Sequence, residues 1–190
     1  LMRYAFASKH LQAVPDFEGQ AIGKLELDPS GRLWVAPLTG GLWLHTQDGH
    51  WVDALQSAAG APPTTQVTAL LADPHKPGGM FAAFVNGGIY NWNGDAWTSI
   101  DRRRWPQGDR IQALAMEPSD DSLWIGSEIG LSRLDNLSLI TYDSHDGMQN
   151  GAIRAIARQP DGGYWFGGQK GLSHYELERT PPWVRVIGVA

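Results

Sequence analysis

The stretch "IQALAMEPSDDSLWIGSEIGLSRLD", residues 111–135, decides the fold of this chain, because its pattern returns three more times. A short alternating run leads through the polar turn "EPSDD" to "SLWIGS", and a glycine then restarts a third run, "GLSRLD". Short alternating runs that contain aromatic and β-branched residues are typical of strands. Gly, Pro and β-formers interrupt every candidate helix in the chain.

Similar hairpins begin at Gly31, Gly78 and Gly162, at a nearly constant interval. The equivalent aromatic residues lie 47, 43 and 41 positions apart: Trp34, Phe81, Trp124 and Trp165. The glycines that restart the third strand follow the same interval: Gly41, Gly88, Gly130 and Gly171. Four short antiparallel strands per unit at this period predict an all-β fold, the β-propeller.

Two dipeptides predict how the third and fourth strands are joined. Asp48-Gly49 and Asn93-Gly94 both favour type I′ hairpin turns, whose two central positions need a positive φ. Side-chain size predicts the packing between blades, because blades converge on an axis and leave little room there. Small residues hold one inner-strand position in three units, and Lys24 takes that place in the first: Ala69, Ala113 and Ala155. The larger aromatics one strand further out are interpreted as wedges between blades.

Composition narrows the function. The net charge of −5 argues against nucleic acid as the main partner, because phosphate binding needs a concentrated basic surface. Cysteine is absent, which excludes disulfides, thiolate metal sites and a cysteine nucleophile. No apolar run approaches the ~20 residues of a membrane helix. No cofactor or metal site is predicted, because the six histidines show no ligand spacing, apart from His45 and His50 flanking a turn.

The third and fourth units, "IQALAMEPSDDSLWIGSEIGLSRLD" and "AIRAIARQPDGGYWFGGQKGLSHYE", resemble the two-component regulator propeller repeat. The linker "YDSHDGMQNG" before the fourth unit is similar to the linker of that family, and "RTPPWVRVIGVA" is similar to the passage into an immunoglobulin-like triple-tyrosine domain. In the first two units Pro37 and Ala83 depart from the family's glycine after the second strand.

The resemblance implies a role and a place. Such propellers form the extracytoplasmic, periplasmic sensor region of bacterial receptors that end in a histidine kinase or a diguanylate cyclase. A small ligand, carbohydrate in some members, is then the expected partner, and the segment itself is expected not to be an enzyme. Two other functions stay open, namely a protein-interaction scaffold and a streptogramin-lyase-like propeller enzyme. The enzyme would need His and acidic residues that converge at the channel mouth.

The repeat also predicts the domain organisation. "LMRY" at the start matches "LSRL" and "LSHY", so residues 1–20 are expected to be the outer strands of a preceding blade. Four units follow, at about 21–65, 66–109, 110–151 and 152–180, and residues 181–190 are either the last outer strand or the start of an Ig-like domain. Four and a half units suggest an open arc of a larger ring. The expected partners are therefore the remainder of the parent propeller, a downstream signalling domain, and other copies through exposed blade faces.

Candidate ligand-binding residues lie in loops at one end of the channel. In "DRRRWPQGDR" three arginines and an indole suit an anionic or sugar ligand: Arg102, Arg103, Arg104 and Trp105. The alternative is a solvated loop whose arginines pair with Asp101 and Asp109. The short turns between second and third strands add four candidates by position alone: Asn86, Glu128, Gln169 and Lys170. "DSHDG" from Asp143 is interpreted as a turn rather than a metal site or proton relay.

Overall fold

The structure is a computed structural model that describes residues 1–5, 9–56, 58–86, 88–100, 110–135, 138–148, 151–176 and 186–189. In those ranges the chain forms eighteen strands and two 3₁₀ helices, Pro15–Phe17 and Ser144–Asp146. The strands make four antiparallel sheets of four strands each and one sheet of two. The all-β propeller prediction is confirmed.

The four sheets, called blades I to IV here, each use four consecutive strands. Blade I contains β3 (Ile22–Leu27), β4 (Leu33–Pro37), β5 (Trp43–His45) and β6 (Trp51–Asp53). Blade II contains β7 (Val67–Ala72), β8 (Met80–Phe84), β9 (Gly88–Trp92) and β10 (Trp97–Ser99). Blade III contains β11 (Ile111–Glu117), β12 (Ser122–Ser127), β13 (Leu131–Leu134) and β14 (Leu139–Tyr142). Blade IV contains β15 (Ile153–Arg158), β16 (Tyr164–Gly168), β17 (Gly171–Tyr175) and β18 (Val186–Val189). The two-stranded sheet pairs β1 (Met2–Ala5) with β2 (His10–Ala13).

The innermost strands β3, β7, β11 and β15 contact one another in sequence, as expected for blades that share an axis. Each inner strand carries a register shift two residues after its start, so that one residue bulges out of the pairing. The bulged residues are equivalent in all four blades: Gly23, Thr68, Gln112 and Arg154. A bulge re-aims side chains and increases twist, which suits a strand at the crowded centre.

The repeated aromatics occupy equivalent places and face the following blade. Trp34 packs edge-on against Trp92 and Trp97 of blade II, with ring centroids 6.3 and 6.2 Å apart. Trp124 lies against Phe166 of blade IV at 5.2 Å. Phe81 joins the apolar cluster between blades II and III. In each seam these rings fill the space that opens with distance from the axis, so the wedge interpretation agrees with the structure.

The predicted type I′ turns are wrong. Gly49 and Gly94 have positive φ angles of 88° and 114°, but Asp48 and Asn93 do not. Gly49 donates its N–H to the Thr46 carbonyl at 3.1 Å, and the loop is the three-residue kind that ends in a left-handed glycine. Gly94 is the first central residue of a two-residue loop, which matches the type II′ pattern. Asn93 stays out of the left-handed region because its carboxamide oxygen accepts the N–H groups of Asp95 and Ala96.

Candidate functional site

One end of the propeller gathers the turns between second and third strands and the segments that enter each inner strand. In every blade the first turn residue donates its backbone N–H to the carbonyl of the residue before the inner strand, over 2.8–3.1 Å. The four bonds run from Leu38 to Ala21, Val85 to Gln66, Glu128 to Arg110, and Gln169 to Ala152. These bonds fix the end of the channel in one geometry. We call this end the rim, defined by the turn positions 38–39, 85–86, 128–129 and 169–170.

The rim contains all four candidates that were chosen by position. Glu128 and Gln169 are the first turn residues of blades III and IV, and Asn86 and Lys170 are second turn residues of blades II and IV. All four are exposed. Gly151 adjoins two of them, because a Cβ on this glycine would lie 3.8 Å from Lys170 Cγ and 4.0 Å from Gln169 Cβ. The structure therefore places them on one surface, spread over three neighbouring blades.

The arginine-rich loop lies outside the described residues. Arg102, Arg103, Arg104 and Trp105 belong to the connection between β10 and β11, for which the described chain ends at Ile100 and resumes at Arg110. Because Arg110 holds the rim turn of blade III, both ends of this connection are attached to described strands. The predicted ligand role of these four residues remains a prediction.

Lys24 is a rim-end residue that sequence reasoning did not select as a site. It pairs with Ala36 at the inner-strand position that Ala69, Ala113 and Ala155 occupy in the other blades. Its half-buried side chain passes the inner strand of blade II, and Nζ donates to the Gln112 carbonyl oxygen of blade III at 3.5 Å. The available signal was the break in the small-residue pattern, which placed an amine where the other units have a methyl group.

Gln112 continues this polar connection to the rim. It is the bulged residue of β11, and its side-chain Nε2 donates to Glu128 Oε1 at 3.4 Å. The bulge at Arg154 gives blade IV an exposed guanidinium at the equivalent point. The same backbone irregularity thus carries a polar side chain at this end of the channel in blades III and IV.

Close to the axis, basic side chains outnumber acidic ones at this end of the channel. Four cations lie on inner strands, on the residues before them, or on the rim turns: Lys24, Arg110, Arg154 and Lys170. Within the described part of the chain, none of them forms an ion pair with a carboxylate. The nearest described acid on the rim is Glu128, which accepts the Gln112 amide instead. An anionic group that enters the channel from this end would meet cations that form no ion pair within the described residues.

The start of the connection between blades I and II is part of the core. Ala54 and Leu55 are buried, and Trp97 Nε1 of blade II donates to the Ala54 carbonyl at 2.8 Å. The Trp97 backbone N–H also bonds to the Ala59 carbonyl at 2.9 Å. The start of this loop, at Ala54 and Leu55, is therefore packed against blade II.

The connection between blades III and IV is a turn, as interpreted from the sequence. Ser144–Asp146 forms a 3₁₀ helix, and Asp143 accepts both the backbone N–H of His145 at 2.7 Å and its ring Nδ1 at 3.0 Å. These hydrogen bonds to His145 hold the pKa of the exposed Asp143 carboxyl below its ordinary value. His145 makes this local contact through Nδ1 and lies at the surface.

Carboxylates at the opposite end of the channel have structural partners. Asp28 accepts Arg32 Nε at 2.8 Å and Trp34 Nε1 at 3.1 Å. Glu117 accepts the Ser119 hydroxyl at 2.8 Å and the Tyr164 hydroxyl of blade IV at 3.0 Å. Burial alone would raise the pKa of both carboxyls, but the hydrogen bonds and the nearby arginines outweigh it, so both lie below their ordinary values.

A small cavity lies at the seam between blades III and IV, beside the rim. Its walls include Ile129, Tyr142, Asp143, Gly151 and Ile153, and its volume of about 20 Å³ accommodates about one water molecule. A drug-sized or sugar ligand needs several hundred Å³. A ligand of that size therefore does not fit inside this cavity.

The described residues lack two features, a metal-binding cluster and a membrane-spanning helix. No set of three or more His, Cys, Asp or Glu side chains in those ranges could hold a metal ion. The described ranges also contain no helix with the length and apolar character to cross a membrane.

Comparisons with known proteins show the fold. No family model matches the chain, and no curated protein does. Among solved structures it is similar to the extracellular domain of BT4673 from B. thetaiotaomicron, assigned as a one component system, with a TM-score of 0.70 and 19% identity. The match covers 90% of this chain and 22% of that one. The extracellular domain of BT3049, assigned as a hybrid two component system of the same organism, gives a TM-score of 0.68 and 19% identity over 88% of this chain and 24% of that one.

An enzyme shares the same architecture. Virginiamycin B lyase from Staphylococcus aureus, solved in an inactive form with quinupristin, is similar with a TM-score of 0.65 and 14% identity. The match covers 95% of this chain and 59% of the lyase. The chain thus spans about a quarter or less of the two extracellular domains. At these identities the likeness establishes the propeller architecture, which extracellular domains of signalling systems share with a lyase.

Proposed function

We propose that this chain is a ligand-sensing segment of an extracytoplasmic propeller in a bacterial signalling receptor, and that it is not itself an enzyme. The repeat's resemblance to the two-component regulator propeller family and the fold shared with two extracellular signalling domains support the receptor role. A histidine kinase or a diguanylate cyclase is the proposed output. The periplasm is the proposed location.

The observation that carries the ligand class is a set of four cations that form no ion pair with any described carboxylate. Lys24, Arg110, Arg154 and Lys170 belong to strand starts and turns at one end of a protein whose net charge is −5. Gln112 of β11 and Glu128 of the rim add hydrogen-bonding groups suited to hydroxyls, and Trp105 adds an indole in the connection before β11. Carboxylates and hydroxyls occur together in acidic carbohydrates. We therefore take an acidic oligosaccharide, such as a uronic-acid oligomer, as the ligand class.

A glycan array tests this assignment directly. The purified chain is applied to an array that carries uronic-acid, sulfated and neutral oligosaccharides, and it is expected to be retained by acidic glycans and not by neutral ones. Lys170→Met, on the rim, should reduce retention, whereas Lys76→Met, in a turn at the opposite end, should not. Retention by neutral glycans alone, or by none, would refute the proposed ligand class.

A protein-binding scaffold is the second candidate, and one observation favours it. Leu38 and Ile129 are exposed on rim turns, where an apolar partner surface could cover them. Leu38→Ser and Ile129→Ser leave the cations in place. If these variants abolish capture of a partner protein while glycan retention is absent in the unmodified chain, the scaffold function replaces the sensor.

A further inference from the structure

The inner strand of blade I exposes two leucines, whereas the counterparts of Leu25 in blades II and III pack against the preceding blade. Leu25 and Leu27 are 49% and 60% exposed. Register pairs Leu25 with Val35 exactly where Leu70 pairs with Ala82 and Leu114 pairs with Ile125. Leu70 packs against the cluster between blades I and II, and Leu114 is 8% exposed between blades II and III. The difference in exposure arises because blades II, III and IV each pack against a complete preceding blade, whereas blade I is preceded by a sheet of two strands.

The cover in the other seams comes from the two inner strands of the preceding blade. Between blades III and IV, β12 places Trp124 against Tyr164 and Phe166, and β11 contributes Ala115 to the same cluster. Between blades I and II, β4 places Trp34 and Ala36 in the equivalent cluster. The apolar surface of an inner strand is therefore buried by a hairpin with a large aromatic on its second strand.

The sheet before blade I has two strands where the others have four. In the described part of the chain β1 pairs with β2 alone, so the other edge of β1 has free N–H and C=O groups. A 3₁₀ helix at Pro15–Phe17 then leads into β3, and another at Ser144–Asp146 leads from β14 to β15. Phe17 is buried against Trp51 of blade I, with ring centroids 4.7 Å apart. The shared connection indicates that β1 and β2 are equivalent to β13 and β14, the third and fourth strands of the blade that precedes blade IV. The sheet of β1 and β2 therefore corresponds to the outer half of a blade that precedes blade I.

We infer that this face binds an inner-strand β-hairpin of the same repeat, contributed by the remainder of the propeller. The hairpin would pair its second strand with the free edge of β1 and place an aromatic ring over Leu25 and Leu27. Strand addition supplies the backbone hydrogen bonds, and the apolar seam supplies the specificity. The three seams between blades I to IV identify the partner, because in each of them an inner strand is buried by such a hairpin of the preceding blade.

A peptide of the chain itself provides the probe. Residues 110–128 comprise β11 and β12 with the turn between them, and a labelled copy is titrated into the purified chain. We expect saturable binding and a rise in melting temperature. A peptide with Trp124→Ser, which lacks the wedge, should bind about 10-fold more weakly or worse. The peptide length keeps the strands that pair and omits the rest of blade III.

Two variants of the chain locate the contact. The double change Leu25→Asp and Leu27→Asp alters exposed side chains, so the fold should persist, and it should abolish peptide binding. Leu172→Asp is the matched control, since Leu172 is 41% exposed on the far face of blade IV. Circular dichroism confirms that each variant keeps its strands. Two further single variants, Leu25→Ser and Leu27→Ser, replace the double variant if it unfolds.

Three results would overturn the inference. The first is no binding of the peptide to the unmodified chain, and the second is binding that Leu172→Asp abolishes and the Leu25 and Leu27 changes leave intact. The third is a dimer in solution that the Leu25 and Leu27 changes dissociate, which would make a second copy the occupant.

Discussion

Lys24 Nζ lies 3.5 Å from the carbonyl oxygen of Gln112, and these two residues belong to blades separated by a third. The contact is possible because blade II presents the small Ala69 where blade I has the lysine. An amine on a long stem thus reaches across the centre of the channel and lies beside a strand that continues to Glu128. A residue that breaks the repeat becomes the one that connects distant blades at the proposed binding end.

Trp124 and Trp165 occupy equivalent positions in neighbouring blades but differ in how deeply they are buried. Trp124 is 1% exposed, whereas Trp165 is half-buried and stacks on His174 of its own blade, 4.1 Å away. Trp124→Ala should lower the free energy of unfolding by about 3–5 kcal/mol. Trp165→Ala should lower it by only ~1–2 kcal/mol, because less apolar surface is lost. Urea denaturation measures both, and equal losses would mean that the face of blade IV is covered in solution.

Tyr164 connects blade IV to Glu117 of blade III, so Tyr164→Phe should weaken the seam. A hydrogen bond to a buried charged group contributes roughly 1.5–3 kcal/mol, and the ring itself is kept. The matched control is Tyr175→Phe, whose ring packs on Trp124 and whose hydroxyl has no hydrogen-bond partner among the described residues. That change should stay within about 0.5 kcal/mol. Urea denaturation at pH 7 compares the two, and a larger loss for Tyr175→Phe would contradict the assignment.

The same pair predicts acid sensitivity. The pKa of Glu117 in the folded chain lies below the ordinary 4.5, so its ionised form is favoured by folding. The resulting stabilisation is present above pH 4.5 and is lost as the pH falls through the lowered folded value. Glu117→Gln should therefore flatten this part of a stability profile measured between pH 3 and 6. If the loss of stability at low pH is the same in Glu117→Gln, other carboxyl groups cause it.

Glu26 predicts the opposite slope. Burial raises the pKa of Glu26 above 4.5, and its hydrogen bond from the Ala72 N–H offsets this only partly. The folded chain therefore favours the protonated acid, and stability declines as the pH rises from 4.5 through the raised folded value. Glu26→Gln keeps the shape and removes the charge, so it should raise the melting temperature at pH 7. A lower melting temperature at pH 7 with the pH slope retained would show that the ionised carboxylate stabilises the fold.

Trp105 offers a separate test of the loop hypothesis. If its indole stacks on a sugar ring, Trp105→Ala should reduce binding of an oligogalacturonate by about 10-fold while unfolding changes within about 0.5 kcal/mol. Trp165→Ala, on the blade face, should leave that affinity unchanged. Titration calorimetry and urea denaturation supply the two readings. A collapse of stability in Trp105→Ala would identify the ring as a core residue.

The repeat made the architecture predictable. The spacing of the units, the recurring glycines and the recurring aromatic residues all reflect the packing of one blade on the next. The glycine that restarts the third strand has a positive φ in every blade, from 83° at Gly88 to 145° at Gly130, which explains its recurrence. The turn types were not predictable from the dipeptides, because the Asn93 side chain bonds forward and keeps its own backbone out of the left-handed region. Local side-chain chemistry overrode the dipeptide preference.

The sequence allowed the location of the candidate site to be predicted, but not the contacts within it. Equivalent turn positions identified Asn86, Glu128, Gln169 and Lys170, since a repeat fixes where each turn lies. The reach of Lys24 depends on how three blades are arranged around the axis, which no local pattern contains. The contact between Trp97 of blade II and the Ala54 carbonyl, which fixes the start of the loop after β6, likewise depends on how two blades pack.

Calorimetric titration of an oligogalacturonate into the unmodified chain, Lys24→Met and Lys76→Met tests the central claim that the rim end of the channel binds an acidic ligand. Lys24→Met keeps the stem and removes the amine, so it should weaken binding about 10-fold or more, with unfolding altered by no more than about 1 kcal/mol. Lys76→Met should bind like the unmodified chain, and added salt should weaken all three titrations. Equal affinities for the two lysine variants, or no heat of binding to the unmodified chain, would contradict the account.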